Sequence, residues 1–282
     1  MIQARSPRRV QLPSLFAPFS YIVLTLLAAA CLVPFVWMLL TAFKPDNEVF
    51  SRALLPSRLA WENFPRAFTF FPFARFLFNT MVVAVGSTGL HLVTSCLAAY
   101  AFARLRFRGR EVLFLVYLGT LMVPQQVTIV PLFLMMQNIG WVDTFWALIL
   151  PGAFHALGVF LLRQFFMTIP RELEESAFID GASRLRILWQ IILPLSKPAL
   201  ATLAVFTFIR EWNSFLWPLI VTTSPDMRML SVGLSLFSGQ YGTEWHLLMA
   251  AATVTLLPTL LIFAFAQRYF VEGIALTGFG GR

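Results

Sequence analysis

Six apolar stretches, each long enough to cross a lipid bilayer, limit this chain more than any other feature. A helix needs about 20 apolar residues to span the hydrocarbon core, and residues 19–43, 76–102, 112–137, 144–162, 199–221 and 247–266 meet that length. Only the fifth carries charge, at Arg210 and Glu211. Lipid offers no partner to an open backbone, so each stretch is expected to cross as a helix. Composition agrees: 59% of residues are hydrophobic and 12% charged, against about 25% charged in ordinary globular chains. A soluble enzyme, a secreted mini-protein and a disordered chain are excluded. The expected fold is an all-α membrane protein with six transmembrane helices, a tail over residues 1–18 and a six-span domain over 19–282.

The first stretch is read as a helix, not a cleaved leader. Arg5, Arg8 and Arg9 resemble a charged leader start, but the apolar run is too long and no small-x-small cleavage site precedes a polar mature start. Cys31 and Cys96 lie inside apolar runs, so no disulfide framework is expected. Orientation follows the positive charges. With the N-terminus inside, the inner segments hold Arg5, Arg8, Arg9, Arg104, Arg106, Arg108, Arg110, Arg163, Arg171, Arg184, Arg186, Lys197, Arg268 and Arg282. The outer ones hold Lys44, Arg52, Arg58, Arg66, Arg75 and Arg228. Both termini are therefore expected in the cytoplasm. The net charge of +8 then reflects topology, and the run Arg104–Arg110 is expected to meet anionic headgroups of the bilayer rather than nucleic acid.

Residues 168–198, between the fourth and fifth stretches, do not read as a loop. Thr168 is expected to cap a helix with Pro170 in its first turn. Glu172, Glu174 and Glu175 sit where the helix dipole favours negative charge, and Leu173 and Ala177 share a face at i, i+4. Asp180-Gly181 ends the helix, Gly181 being able to adopt the left-handed conformation. A second helix is expected after Ser183, with Leu185, Leu188, Trp189 and Ile192 as its apolar stripe. Pro194 and Pro198 then redirect the chain. From the pattern alone, the segment either packs beneath the bundle or protrudes to dock a partner.

Glu175-Ser-Ala-Phe-Ile-Asp-Gly-Ala182, closed by Ile191-Ile-Leu-Pro194, resembles the EAA signature of binding-protein-dependent ABC importer permeases. In the sugar-importer form that signature reads E-A-A-x-x-D-G-A, and this chain departs from it at Ser176. Ala99-Tyr-Ala-Phe-Ala-Arg104, Met122-Val-Pro124, Phe160-Leu-Leu-Arg-Gln-Phe-Phe166, Glu211-Trp-Asn-Ser-Phe-Leu-Trp-Pro-Leu219 and Gly239-Gln-Tyr-Gly-Thr-Glu-Trp245 are also similar to the carbohydrate, maltose-type branch. The resemblance implies a type I ABC importer permease fold and a multi-pass subunit of a bacterial or archaeal inner membrane. It implies a second homologous permease, a dimer of ATPase subunits that use ATP and magnesium, an extracytoplasmic solute-binding protein and a sugar substrate. Carried over by position, Glu175, Ala177, Asp180 and Gly181 mark the ATPase-coupling loop, with Leu173 as an apolar anchor.

The chain is not expected to be an enzyme or to bind a cofactor or metal. A P-loop needs Gly-Lys-Ser/Thr, whereas Lys44 follows Phe43 and Lys197 follows Ser196. His91, His155 and His246 lie on separate segments, and no clustered catalytic set is visible. Polar groups inside spans are expensive and tend to face a cavity. Glu211, Trp212, Asn213 and Trp217 in the fifth stretch, with Gln125 and Gln126 beside Pro124 in the third, are the candidates for lining the substrate pathway. Amides and carboxylates suit sugar hydroxyls, and aromatic faces suit sugar rings. Bonding between helices is the competing role for each. Arg210 and Glu211 are adjacent, and neighbours on a helix do not face each other, so no simple pair is expected. The alternative reading is an ion-coupled secondary transporter acting alone. Such carriers usually show an internal repeat, and none is evident.

Overall fold

In a computed structural model, residues 16–239 and 242–278 are described. The tail before Phe16 and the final charge, Arg282, lie outside the described residues, as do Gln240 and Tyr241.

The regular structure of the described chain is helical apart from a small hairpin. Helix α1 runs Phe16–Ala42, and α2 (Asn63–Phe70) leads into α3 (Phe73–Arg104). Then come α4 (Arg110–Gly119), α5 (Gln125–Asn138), α6 (Phe145–Ile149) and α7 (Ala156–Thr168). The connecting segment holds α8 (Glu172–Ile179), α9 (Arg184–Ile187), a π turn (Leu188–Ile192) and α10 (Leu193–Leu195). Helices α11 (Lys197–Trp212), α12 (Leu216–Val221), α13 (Leu230–Ser235) and α14 (Trp245–Gly278) complete the order. Strands β1 (Ser238–Gly239) and β2 (Gly242–Thr243) pair antiparallel before α14.

Three unbroken helices are long and apolar enough to span: 18–42, 73–104 and 245–267, with mean hydropathies of 2.5, 1.6 and 2.2. Three bent helix pairs are together long and apolar enough for further crossings, up to six in all if each pair is one span. The bends have local causes. Between 122 and 125 the chain turns by 99° at Pro124, which supplies no N–H to continue the ladder. Between 195 and 197 it turns by 82° at Ser196, just before Pro198. The fifth expected stretch is also interrupted, because Pro218 cannot donate to the Ser214 carbonyl four residues earlier. Ser231 Oγ donates to that carbonyl instead, at 2.5 Å, so the freed backbone group is satisfied inside the protein.

The core is split into layers. Toward the α8–α9 end, Tyr100, Phe166, Leu162, Ile187, Leu188 and Ile192 join α3, α7 and the connecting segment. At the opposite end Phe73, Phe76, Trp212, Phe237 and Leu247 form a second cluster. Val83, Ile129, Leu148 and Trp217 form a third between them and α5. Helix α3 contributes to all three and is the mast of the bundle. Its approach to α7 depends on Gly158, where a Cβ would lie 2.4 Å from His91 Nε2. Exposed Phe19, Ile22 and Leu26 on α1, with Leu113, Leu115 and Val116 on α4, form the apolar outer surface that lipid would cover.

Candidate functional site

Two regions carry the candidate residues. The first is α8 with its flanks. Thr168 does not cap it: Thr168 closes α7 and its Oγ1 donates to Phe165 O at 2.7 Å. Ile169 and Pro170 are non-helical, and the next helix starts only at Glu172. The three glutamates do occupy its first turn, but they differ in role. Glu175 is exposed, whereas Glu174 is buried. Its Oε1 lies 2.7 Å from Arg104 Nε, with side chains only 4% and 8% exposed for Arg104 and Glu174. Tyr100 Oη donates to Glu174 Oε2 at 3.4 Å. Arg104 Nη2 also donates to Phe166 O and Ile169 O at 2.5 and 2.6 Å. One guanidinium thus ties the end of α3 to the end of α7 and to α8. Arg104 was expected to face lipid headgroups and does not, because its charge is consumed inside the protein; Arg106 and Arg108 remain exposed.

The end of α8 follows the sequence expectation. Gly181 has φ +79°, Ala182 N donates to Ala177 O at 2.9 Å and Gly181 N to Phe178 O at 3.0 Å. These are the two reversed bonds of a Schellman cap, and the left-handed residue must be small. Ala177 packs on the inner core, while Leu173, Asp180 and Gly181 are exposed and Ile179 is 88% exposed. Ser183 caps α9, accepting from Arg186 N at 3.3 Å. The expected stripe is corrected. Leu188 and Ile192 are buried, but Leu185 and Trp189 are exposed and Ile187 takes their place. The π turn over 188–192 moves the repeat from i, i+4 toward i, i+5, so 187 and 192 share the buried face. A small groove of about 330 Å³ beside α8 is lined by Arg106, Arg171, Glu175, Phe178 and Arg184, among others.

The second region is a cavity of about 510 Å³ between α5, α6, α7, α11 and α12. Of the sequence candidates, Gln125, Glu211 and Trp217 line it. The others point elsewhere. Trp212 is buried against Phe208, and its Nε1 donates to Thr255 O at 3.2 Å. Asn213 donates to Ile209 O at 2.7 Å, closing α11, and Gln126 is exposed outside the cavity wall. Pattern reading missed Thr128, His155, Arg210 and Ser214, which line the cavity.

Arg210 and Glu211 do form a pair, contrary to the expectation from their adjacency. Nη2 and Nε of Arg210 lie 2.8 and 3.0 Å from Glu211 Oε1. The long guanidinium stem curls back over its neighbour, a geometry that the facing rule for short side chains does not cover. Nη2 also donates to Gly152 O at 3.2 Å. Gly152 leaves room for the carboxylate: a Cβ there would lie 2.9 Å from Glu211 Oε1. Trp217 Nε1 donates to Ala147 O at 2.9 Å, which fixes the buried ring in the cavity wall. The cavity therefore presents a carboxylate, a guanidinium, an amide, hydroxyls and an indole, a set suited to hydroxyl-rich solutes.

Two of the histidines, far apart in sequence, approach each other in space, and the third has carboxylate neighbours. The rings of His91 and His155 are 6.2 Å apart, and His246 lies beside Asp46 and Glu244.

Comparison with known proteins gives a consistent answer. Residues 91–275 match the family model described as binding-protein-dependent transport system inner membrane component. The probable ABC transporter permease protein YurM of Bacillus subtilis is 33% identical over 90% of this chain and 86% of its own length. The arabinooligosaccharides transport system permease protein AraQ of Halalkalibacterium halodurans is 34% identical over 90% of this chain and 93% of its own. The sn-glycerol-3-phosphate transport system permease protein UgpE of Yersinia enterocolitica is 36% identical over 91% and 95%. Among solved structures, a chain of a bacterial ABC transporter involved in import of the acidic polysaccharide alginate superposes with a TM-score of 0.83. It is 24% identical and covers 94% of this chain and 100% of its own. That likeness shows the fold, a type I ABC importer permease.

Proposed function

We propose that this chain, which belongs to the binding-protein-dependent transport system inner membrane component family, is one of two membrane-spanning subunits of an ATP-driven importer of sugars or sugar-like solutes. The observation that carries the reading is α8. It is a short, cap-terminated helix fastened to α3 and α7 by the buried Arg104–Glu174 pair while Leu173 and Ile179 face outward. Such a helix transmits a push: a partner seated on Leu173, Glu175, Asp180 and Gly181, with Ala177 holding the other face of α8 against the core, moves α3 with it as a rigid body.

The partner is an ATPase dimer in which ATP and magnesium do their chemistry; this chain supplies transport, not catalysis. ATP closes the dimer, the docked helices move together, and the bundle opens to the side where a solute-binding protein delivers substrate. The coupling requires that the ATP-closed dimer bind one arrangement of the bundle better than the other. A second homologous permease completes the pathway. The cavity around Gln125, Glu211 and Trp217 is this chain's contribution to substrate contact, and the names of the relatives, which include oligosaccharide and glycerol phosphate systems, support that chemical range. Both termini lie in the cytoplasm, the side of α8.

The Arg210–Glu211 pair inside a cavity is the one observation favouring an ion-coupled carrier acting alone. Gentle-detergent purification of the tagged chain, with mass spectrometry of what accompanies it, separates the two. An ATP-binding subunit and a second permease, with reconstituted uptake that needs ATP, are expected. A chain that purifies alone and transports at the expense of an ion gradient contradicts the proposal.

A further inference from the structure

Away from both regions, at the end of the bundle opposite α8, three side chains from distant parts of the chain converge. Asp46 opens the 3-10 turn that follows α1, Glu244 closes the hairpin, and His246 lies in the first turn of α14. His246 is 1% exposed, yet neither ring nitrogen makes a hydrogen bond. Nδ1 lies 3.3 Å from Asp46 Oδ1 and 3.9 Å from Glu244 Oε2. One donor atom from each residue falls within 4.8 Å of the others.

We propose that Asp46, Glu244 and His246 form a binding site for a divalent cation of the zinc class. A buried imidazole left without a hydrogen bond is costly, and a cation accepting its lone pair removes the cost. Ligand atoms about 2.0–2.2 Å from a tetrahedral zinc stand about 3.4 Å from each other, close to the spacing seen here. One imidazole nitrogen with two carboxylates favours zinc over magnesium or calcium, which prefer all-oxygen sets. The two carboxylates reach solvent, with side chains 76% and 47% exposed, so the ion has an open path and a fourth position for water. Bound there, it staples the segment after α1 to the start of α14, the helix against which α1 packs.

The test uses the full-length chain, purified in detergent through a tag without histidines and stripped with a chelator. Zinc is titrated against a chromophoric zinc chelator, with the melting temperature followed in parallel. One zinc per chain is expected, with Asp46→Asn and Glu244→Gln each weakening it at least about tenfold and abolishing the zinc-induced rise in melting temperature. Both substituted side chains are solvent-facing, so the variants keep the fold when His246→Ala does not. Wild-type protein that takes up no more zinc than the Asp46→Asn/Glu244→Gln double variant overturns the proposal. So does zinc that is lost with His155→Ala but kept in Asp46→Asn.

Discussion

Among the arginine–glutamate pairs of the described residues, Arg104–Glu174 and Arg210–Glu211 do different work. Arg104 and Glu174 are 70 positions apart in sequence, are 4% and 8% exposed, and clamp three helix ends together. Arg210 and Glu211 are neighbours, 39% and 11% exposed, and look into a cavity. The first pair is shut inside the protein, with Arg104 Nη2 and Glu174 Oε2 also bonded to α7 and α3, and is a joint. The second leaves solvent-facing capacity on the guanidinium and is a surface for binding. Identical chemistry becomes a structural or a recognition element according to how much water is left around it.

Breaking the joint has the largest expected effect. Arg104→Ala leaves the Glu174 carboxylate buried without its cation, a loss of about 3–5 kcal/mol, seen as a lower melting temperature in detergent and loss of uptake. Replacing both partners, as Arg104→Met with Glu174→Leu, returns most of that stability. If the double variant also returns full uptake, the charge itself is dispensable and only the joint matters. Next comes Gly181→Val. Its Cβ meets nothing within 4 Å, so the strain is confined to the left-handed backbone and costs about 1–2 kcal/mol. Membrane insertion continues, but the reshaped end of α8 is expected to abolish uptake, while Gly181→Asn retains more of it. Normal transport in Gly181→Val separates α8 from coupling.

Cutting the cavity pair sharpens the contrast from the other side. Arg210→Ala leaves the Glu211 carboxylate, 11% exposed, without its cation at the cavity wall, and is expected to cost about 1–3 kcal/mol of stability and to lower uptake through weaker apparent substrate affinity. A collapse of stability as large as that of Arg104→Ala would erase the distinction. The smallest effect belongs to Asp143, in the loop after α5. Burial pulls its carboxyl pKa up, but hydrogen bonds from Ser224 and Thr223 outweigh this and hold it below the ordinary value. The contribution is present above the ordinary carboxylate pKa and is lost as pH falls through the depressed one. Asp143→Asn, which also tolerates the left-handed backbone at φ +64°, should flatten that acid limb by less than about 1 kcal/mol. Melting temperatures from about pH 5 down to 3 check it.

Local chemistry made much of this legible. Gly181 and Ser183 announce a helix end and a helix start by conformational need and by a capping oxygen, and both occupy those positions. The apolar stretches locate the crossings, and the prolines mark three of the breaks. Tertiary placement was not legible. Glu172, Glu174 and Glu175 are one class to a dipole argument, and nothing local says that the middle one is buried against Arg104. That arginine looks like part of a basic run because its partner lies 70 residues away. The π turn at 188–192 leaves no composition signal, so a stripe at helical spacing came out rotated. Trp212 and Trp217 are equivalent on a list of aromatic residues, yet one anchors α11 to α14 and the other lines the cavity.

Under the proposed function, α8 is the seat of the ATPase. A photo-crosslinking side chain placed at Ile179, 88% exposed, and separately at Leu115 on α4, 64% exposed, tests it in native membranes. Crosslinking from position 179 to an ATP-binding subunit, changing in yield when ATP is added, with none from position 115, is the expected result. An Ile179 probe that captures no ATP-binding subunit, in membranes where uptake is intact, would contradict it.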